Sequence, residues 1–103
     1  MFKVMILLKR KEELSKDDFK IWWMNEHAKL ATQLPGLKKI CFNLVKNEDS
    51  LYDGVSELWF DSEDAFTESY QSETGKSVIA DSMKHVSSRN GLIVEENMLL
   101  EQK

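Results

Sequence analysis

Phe2-Lys3-Val4-Met5-Ile6-Leu7-Leu8-Lys9-Arg10 sets Phe2, Val4, Ile6 and Leu8 on one side and Lys3, Met5, Leu7 and Lys9 on the other. A period of two is that of a β-strand, and here even the second side has an apolar centre between its lysines. A strand that offers apolar groups to both sides requires cover on both. Downstream, Leu14-Ser15-Lys16-Asp17-Asp18-Phe19 reads as a helix start. Ser15 can accept from first-turn amides, the aspartates suit the positive helix end, and Leu14 can staple onto Phe19. The helix is predicted to run to about Leu34, where Pro35-Gly36 stops it. At about 100° per residue, Phe19, Trp23, Leu30 and Leu34 form the core stripe, with His27 at one margin and Glu26 and Trp22 at the other.

A second strand is predicted over residues 37–46, with Ile40, Phe42 and Leu44 on one side and Leu37, Cys41 and Val45 on the other. Tyr52-Asp53-Gly54 leads into a third strand, Val55 to Asp61. Ser62-Glu63-Asp64 starts a second helical region that brings Phe66 and Tyr70 inward, breaks near Thr74-Gly75, and resumes with Val78, Ile79, Met83 and Val86. Asn90-Gly91 is expected to end it, and Leu92 to Leu100 to form a fourth strand. The order strand, helix, strand, strand, helix, strand is the split βαβ pattern of an α+β, ferredoxin-like βαββαβ sandwich, one domain spanning residues 1–103. Helices cover one sheet face only. About 1.5–3 kcal/mol is forfeited for each large apolar side chain left in water, so Met5, Leu7, Leu37, Cys41 and Val45 predict a homodimer with sheet against sheet.

Composition excludes several classes. With 103 residues the chain has no room for a separate cofactor domain, and a net charge of −4 offers no footprint for nucleic acid. The longest apolar run, Val4 to Leu8, is too short to span a membrane, and Lys9-Arg10-Lys11 follows it where a signal peptide would carry its charge first. No membrane partner and a cytoplasmic location are therefore expected. Cys41 is the only cysteine and reads as a small buried side chain; it rules out an internal disulfide. His27, His85 and Cys41 lack metal-ligand spacing, so no metal is expected. Nor is there a nucleophile elbow, a phosphate-binding glycine loop or a dinucleotide fingerprint.

What remains is acid–base chemistry in a shaped pocket. His27, with an ordinary pKa of about 6.5, can give and take a proton near neutrality. Asp53 or Glu57 could fix its tautomer if the fold brings either beside the first helix. Trp22, Trp23, Tyr52, Trp59 and Phe66 are the aromatic candidates for lining a pocket suited to a flat ligand, Tyr52 the better placed and Trp23 and Phe66 better explained by core packing. His85, at a helix end, is explained by the helix dipole.

Three stretches together resemble the EthD family, named for a protein linked to ethyl tert-butyl ether degradation. They are Phe19 through Leu30 with its run Trp22-Trp23-Met24-Asn25-Glu26-His27-Ala28-Lys29-Leu30, then Leu34-Pro35-Gly36-Leu37, and Tyr52 through Ser62. The resemblance implies a dimeric α/β barrel, two ferredoxin-like protomers joined through their sheets. It implies His27 as pocket acid or base, with Tyr52, Asp53 and Trp59 as neighbours. Lys29 stands where the family pattern has proline, which loosens the local backbone. Relatives sharing this barrel include cofactor-free monooxygenases, polyketide cyclases, muconolactone-type isomerases and decarboxylases, so no single reaction is implied. The resulting expectation is an enzyme without a cofactor, an oxidoreductase or an isomerase or cyclase, acting on a hydrophobic aromatic or cyclic carbonyl compound in an oxidative or degradative pathway, with His27 and Asp53 catalytic. The alternative is a non-catalytic small-molecule binding protein or an auxiliary partner of an oxygenase system.

Overall fold

The computed structural model describes all 103 residues, Met1–Lys103. Its elements are β1 (Phe2–Arg10), α1 (Lys16–Trp22), a π-helical turn (Trp23–His27), α2 (Ala28–Ala31), β2 (Lys39–Leu44), β3 (Gly54–Phe60), α3 (Glu63–Gln71), α4 (Glu73–His85) and β4 (Val86–Val94). The strands form one antiparallel sheet in the order β2-β3-β1-β4, which is the ferredoxin-like α+β arrangement expected, with helices on one face. No helix is long and apolar enough to cross a membrane.

The serine caps work as read. Ser15 Oγ accepts from the Asp18 amide at 3.0 Å and Ser62 Oγ from the Ala65 amide at 3.1 Å. The second helical region breaks at Ser72 rather than at Thr74-Gly75, because extended Ser72 caps α4 through the Gly75 amide at 3.1 Å. Gly75 lies inside the first turn of α4 for a packing reason: a Cβ there would strike the Ser69 carbonyl oxygen and approach Tyr70 Cα to 2.5 Å. The fourth strand also differs from expectation. It starts at Val86, and Asn90-Gly91 lies within it, paired to Leu7 and Ile6. A full ladder with β1 outweighs the local turn preference of that dipeptide, and residues 95–103 adopt no regular element.

Alternation along the sheet assigns the faces. Val4, Ile6, Leu8, Leu58 and Phe60 are buried against Phe19, Trp22, Trp23, Leu34 and Val78 from the helical layer. Gly54 is needed beneath this layer, since a Cβ would come within 2.7 Å of the Trp23 ring. The outer face carries half-buried Met5, Leu7 and Val55, and exposed Leu92 and Cys41. Cys41 is thus not buried, because its neighbours Ile40 and Phe42 take the helix side. Leu37 and Val45 fall outside β2. The outer face also holds charge: Lys3 Nζ lies 2.9 Å from Glu57 and 3.2 Å from Glu96, over the Trp59 ring.

Candidate active site

The π turn places His27. Its signature is the Ala28 N–H bonding to the Trp23 carbonyl, five residues back, as well as to that of Asn25. In a regular helix, Trp22 and His27 would point about 140° apart; across a π turn, residues five apart share a side. Trp22 is accordingly not at the opposite margin but beside His27, with ring centroids 4.8 Å apart, and both are about 5% exposed.

Both rings converge on α4. His27 Nδ1 lies 2.9 Å from Asp81 Oδ2, and Trp22 Nε1–H donates to the same oxygen at 3.0 Å. A carboxylate oxygen accepts, so the proton of the neutral imidazole belongs on Nδ1, leaving Nε2 as the acceptor nitrogen, toward which the Ser82 hydroxyl donates. Nε2 faces inward, 3.4 Å from the Ser82 hydroxyl. Burial is the largest influence on His27 and pushes its pKa below the ordinary value; the bond and charge of Asp81 oppose this, while Arg89 and His85 add to the lowering. His27 is therefore neutral at pH 7. His85 stacks on Trp22 with centroids 4.1 Å apart, and its Nδ1–H donates to the Asp81 carbonyl at 2.8 Å, so it steadies the same turn from outside.

The space that His27 faces lies between sheet and helices. Ile6, Leu8, Ile40, Phe42, Ser56 and Leu58 form its floor, with Arg89 beside them, and Trp23, His27, Ala31, Tyr70, Val78 and Ser82 its roof. Its volume is about 10 Å³, the size of one water. Two of its walls can meet a polar ligand. Burial raises the Tyr70 pKa against the opposing charge of Arg89, so the phenol stays protonated and able to donate. The Arg89 guanidinium lies 5.6 Å from the Tyr70 ring. Fully buried Trp23 has no partner for its Nε1–H, a deficit worth about 1–3 kcal/mol.

The structure therefore unites His27, Trp22 and Trp23 of the residues expected at the site, and leaves the others elsewhere. Asp53 is held at the sheet end by Arg10, accepting from its backbone N–H at 2.9 Å and from Nε at 3.3 Å, and Glu57 pairs with Lys3 on the outer face. Trp59 is on that outer face too, since its neighbours Leu58 and Phe60 point to the helices; its Nε1–H donates to Glu96 at 3.2 Å. Tyr52 lies in the β2–β3 connection with its N–H on Ser50 Oγ, and Phe66 packs on Phe2, Phe60 and Tyr70 behind the hollow. The residues that sequence reasoning missed, Asp81 and Ser82, sit with Val78 and His85 at spacings 0, 3, 4 and 7 on one face of α4. Polar groups occupying a core-facing helical stripe are the signal that a search for apolar periodicity passes over.

An EthD domain family model matches residues 11–89. Among solved structures the chain is similar to an EthD family protein from Bacillus halodurans, at 24% identity and a TM-score of 0.81 over 94% of this chain and 100% of that one. It is also similar to a dimeric protein of unknown function with a ferredoxin-like fold from Bacteroides fragilis, at 16% identity and a TM-score of 0.73 over 92% and 95%. An antibiotic biosynthesis monooxygenase matches at 15% identity and a TM-score of 0.69, over 95% and 100%. These likenesses show the fold. No curated protein matches the sequence.

Proposed function

We propose that this chain, which belongs to the EthD family, is an acid–base enzyme for a hydrophobic aromatic or cyclic carbonyl compound, with the hollow at His27 as its active site. One observation carries the reading: an imidazole anchored through Nδ1 to Asp81, buried and neutral, with Nε2 turned beside the Ser82 hydroxyl into a mostly apolar space. Such a nitrogen is a general base. Nε2 takes a proton from the carbon beside the carbonyl, and the electron pair of the broken C–H bond moves into the ring-conjugated enolate. The protonated phenol of Tyr70 and the charge of Arg89 stabilise the oxyanion, and Asp81 stabilises the imidazolium. Asp81 is a positioning residue. Return of the proton from the imidazolium to another atom of the enolate completes an isomerisation; alternatively the carbanion adds dioxygen, takes the proton back as a hydroperoxide and loses water to leave a new carbonyl, and the name of the similar antibiotic biosynthesis monooxygenase supports this second course.

The outer sheet face supports a homodimer. Met5, Leu7, Val55 and Leu92 leave apolar area that an identical face would cover, and a similar structure is described as dimeric. The tightness of the hollow favours, as a second reading, a binding protein that closes around a small apolar ligand without turning it over.

Exchange of the side-chain methylene protons of phenylacetone for deuterium, followed by NMR, tests the base directly. The protein is expected to accelerate exchange, and His27→Ala to cut the acceleration by about 10²–10⁴-fold. No acceleration, or acceleration indifferent to His27, contradicts the proposal.

A further inference from the structure

We propose that the open apolar depression between the first helical segments and the β2 edge is the subsite for an apolar tail of the substrate, with Phe42 as a movable partition between tail and reacting head. The inference rests on the reading of the hollow at His27 as the active site. A space of about 10 Å³ admits no organic molecule, whereas sites that hold one occupy roughly 300–1,000 Å³, so a wall must move. Of the surface depressions on the molecule, a single one shares wall residues with the hollow. It has a volume of about 160 Å³ and is lined by Met24, Ala28, Thr32, Ile40 and Phe42. Ile40 and Phe42 belong to both spaces, so the separation is one layer of side chains.

Phe42 is suited to move. It sits on an edge strand, is only half-buried, and rests against Trp23 in a nearly parallel stack, with centroids 4.3 Å apart and planes 3° from parallel. A flat stack has no interlocking edge, so the Phe42 ring can slide off Trp23, and a planar group of the ligand can take its place on the indole. Met24, Ala28 and Thr32 follow one another every fourth residue, which lays an apolar track along one side of the helical segments, and the Thr32 hydroxyl is already bonded to the Ala28 carbonyl at 2.9 Å. The depression thus presents no free polar group, while the hollow presents the His27 Nε2–Ser82 hydroxyl pair and the side chains of Tyr70 and Arg89. The matching ligand is an amphiphile: a carbonyl-bearing head with an acidic proton, joined to an alkyl or aryl tail.

The test uses the intact protein and 4-alkylphenylacetones carrying tails from zero to six carbons, with affinity read from tryptophan fluorescence. Affinity is expected to rise about fourfold for each added methylene until the depression is filled. Ala28→Trp and, independently, the exposed-site variant Thr32→Trp fill the track and are expected to abolish that rise. Affinity flat in tail length, absence of binding, or a rise that persists in both variants overturns the proposal. So does self-association through this face that Ala28→Trp dissolves while none of the ketones binds, which would make a second copy the occupant. Deuterium exchange in the same ketones separates the two readings. Exchange lost in His27→Ala with flat affinities leaves the base in place and removes the tail subsite; a tail-dependent affinity with exchange indifferent to His27 does the reverse.

Discussion

The two faces of the one sheet have nearly the same alternating sequence behind them and end in different states. On the helix side, Val4, Ile6, Leu8, Leu58 and Phe60 are sealed, and the few polar groups admitted among them, His27, Ser82, Tyr70 and Arg89, gather around one hollow. On the outer side, the apolar residues stay half-buried around Lys3, which is 6% exposed and held by two carboxylates and the Trp59 ring. The inner face concentrates its polar residues where chemistry requires them. The outer face pairs its polar residues with one another across the sheet surface, Lys3 with Glu57 and Glu96. Apolar alternation alone is therefore evidence of two apolar faces, but not of two cores.

Truncation should separate the faces most sharply. Phe60→Ala, at a fully buried inner position, is expected to cost about 3–5 kcal/mol in urea unfolding. Leu7→Ala, at a half-buried outer position, should cost clearly less at concentrations where the chain is monomeric. Equal losses would mean that the outer face is a second core.

Asp81→Asn probes the polar side of the inner face. Without the carboxylate the imidazole loses the anchor of its tautomer, and phenylacetone exchange is expected to fall about 10–100-fold. The acid limb of the pH profile should move to lower pH, because Asp81 is the group that opposes the lowering by burial. A limb that moves upward breaks this account of the site. Stability follows the same sign. With the folded His27 pKa below the unfolded value of about 6.5, the folded state binds fewer protons in between, so stability is complete above about pH 6.5 and declines as pH falls toward the folded value. His27→Gln should flatten that decline.

The smallest effect on the folded protomer is expected from Leu7→Glu. Its cost to the protomer should stay within about 1 kcal/mol, while light scattering reports half the wild-type mass. Retention of the wild-type mass would remove the outer face as the dimer surface.

Much of the fold was legible because it rests on short-range rules. The serine caps at 15 and 62 and the alternation of β1 lie where local chemistry places them, whereas the first helical region ends at Ala31, before Leu34 and the Pro35-Gly36 turn expected to stop it. The end of the second helical region was not, because strand pairing with β1 overrides the Asn90-Gly91 turn signal. The site was half legible. His27 could be picked from residue type and helix margin and Trp23 from the core stripe, but the partner of His27 depends on a π turn that rephases the helix and on a helix more than fifty positions away. Asp53 stood within a matched stretch of the sequence, yet Arg10 claims it. Trp59 was a pocket candidate by composition only; counting alternation outward from Leu58 and Phe60 assigns it to the other face.

The decisive measurement is a pH titration of the imidazole nitrogens by ¹⁵N NMR in the ligand-free protein. The account predicts that His27 is protonated on Nδ1 and unprotonated at Nε2 at pH 7, and that it takes up its second proton only below the ordinary histidine value. A His27 protonated on Nε2, or titrating at or above about 6.5, would contradict it.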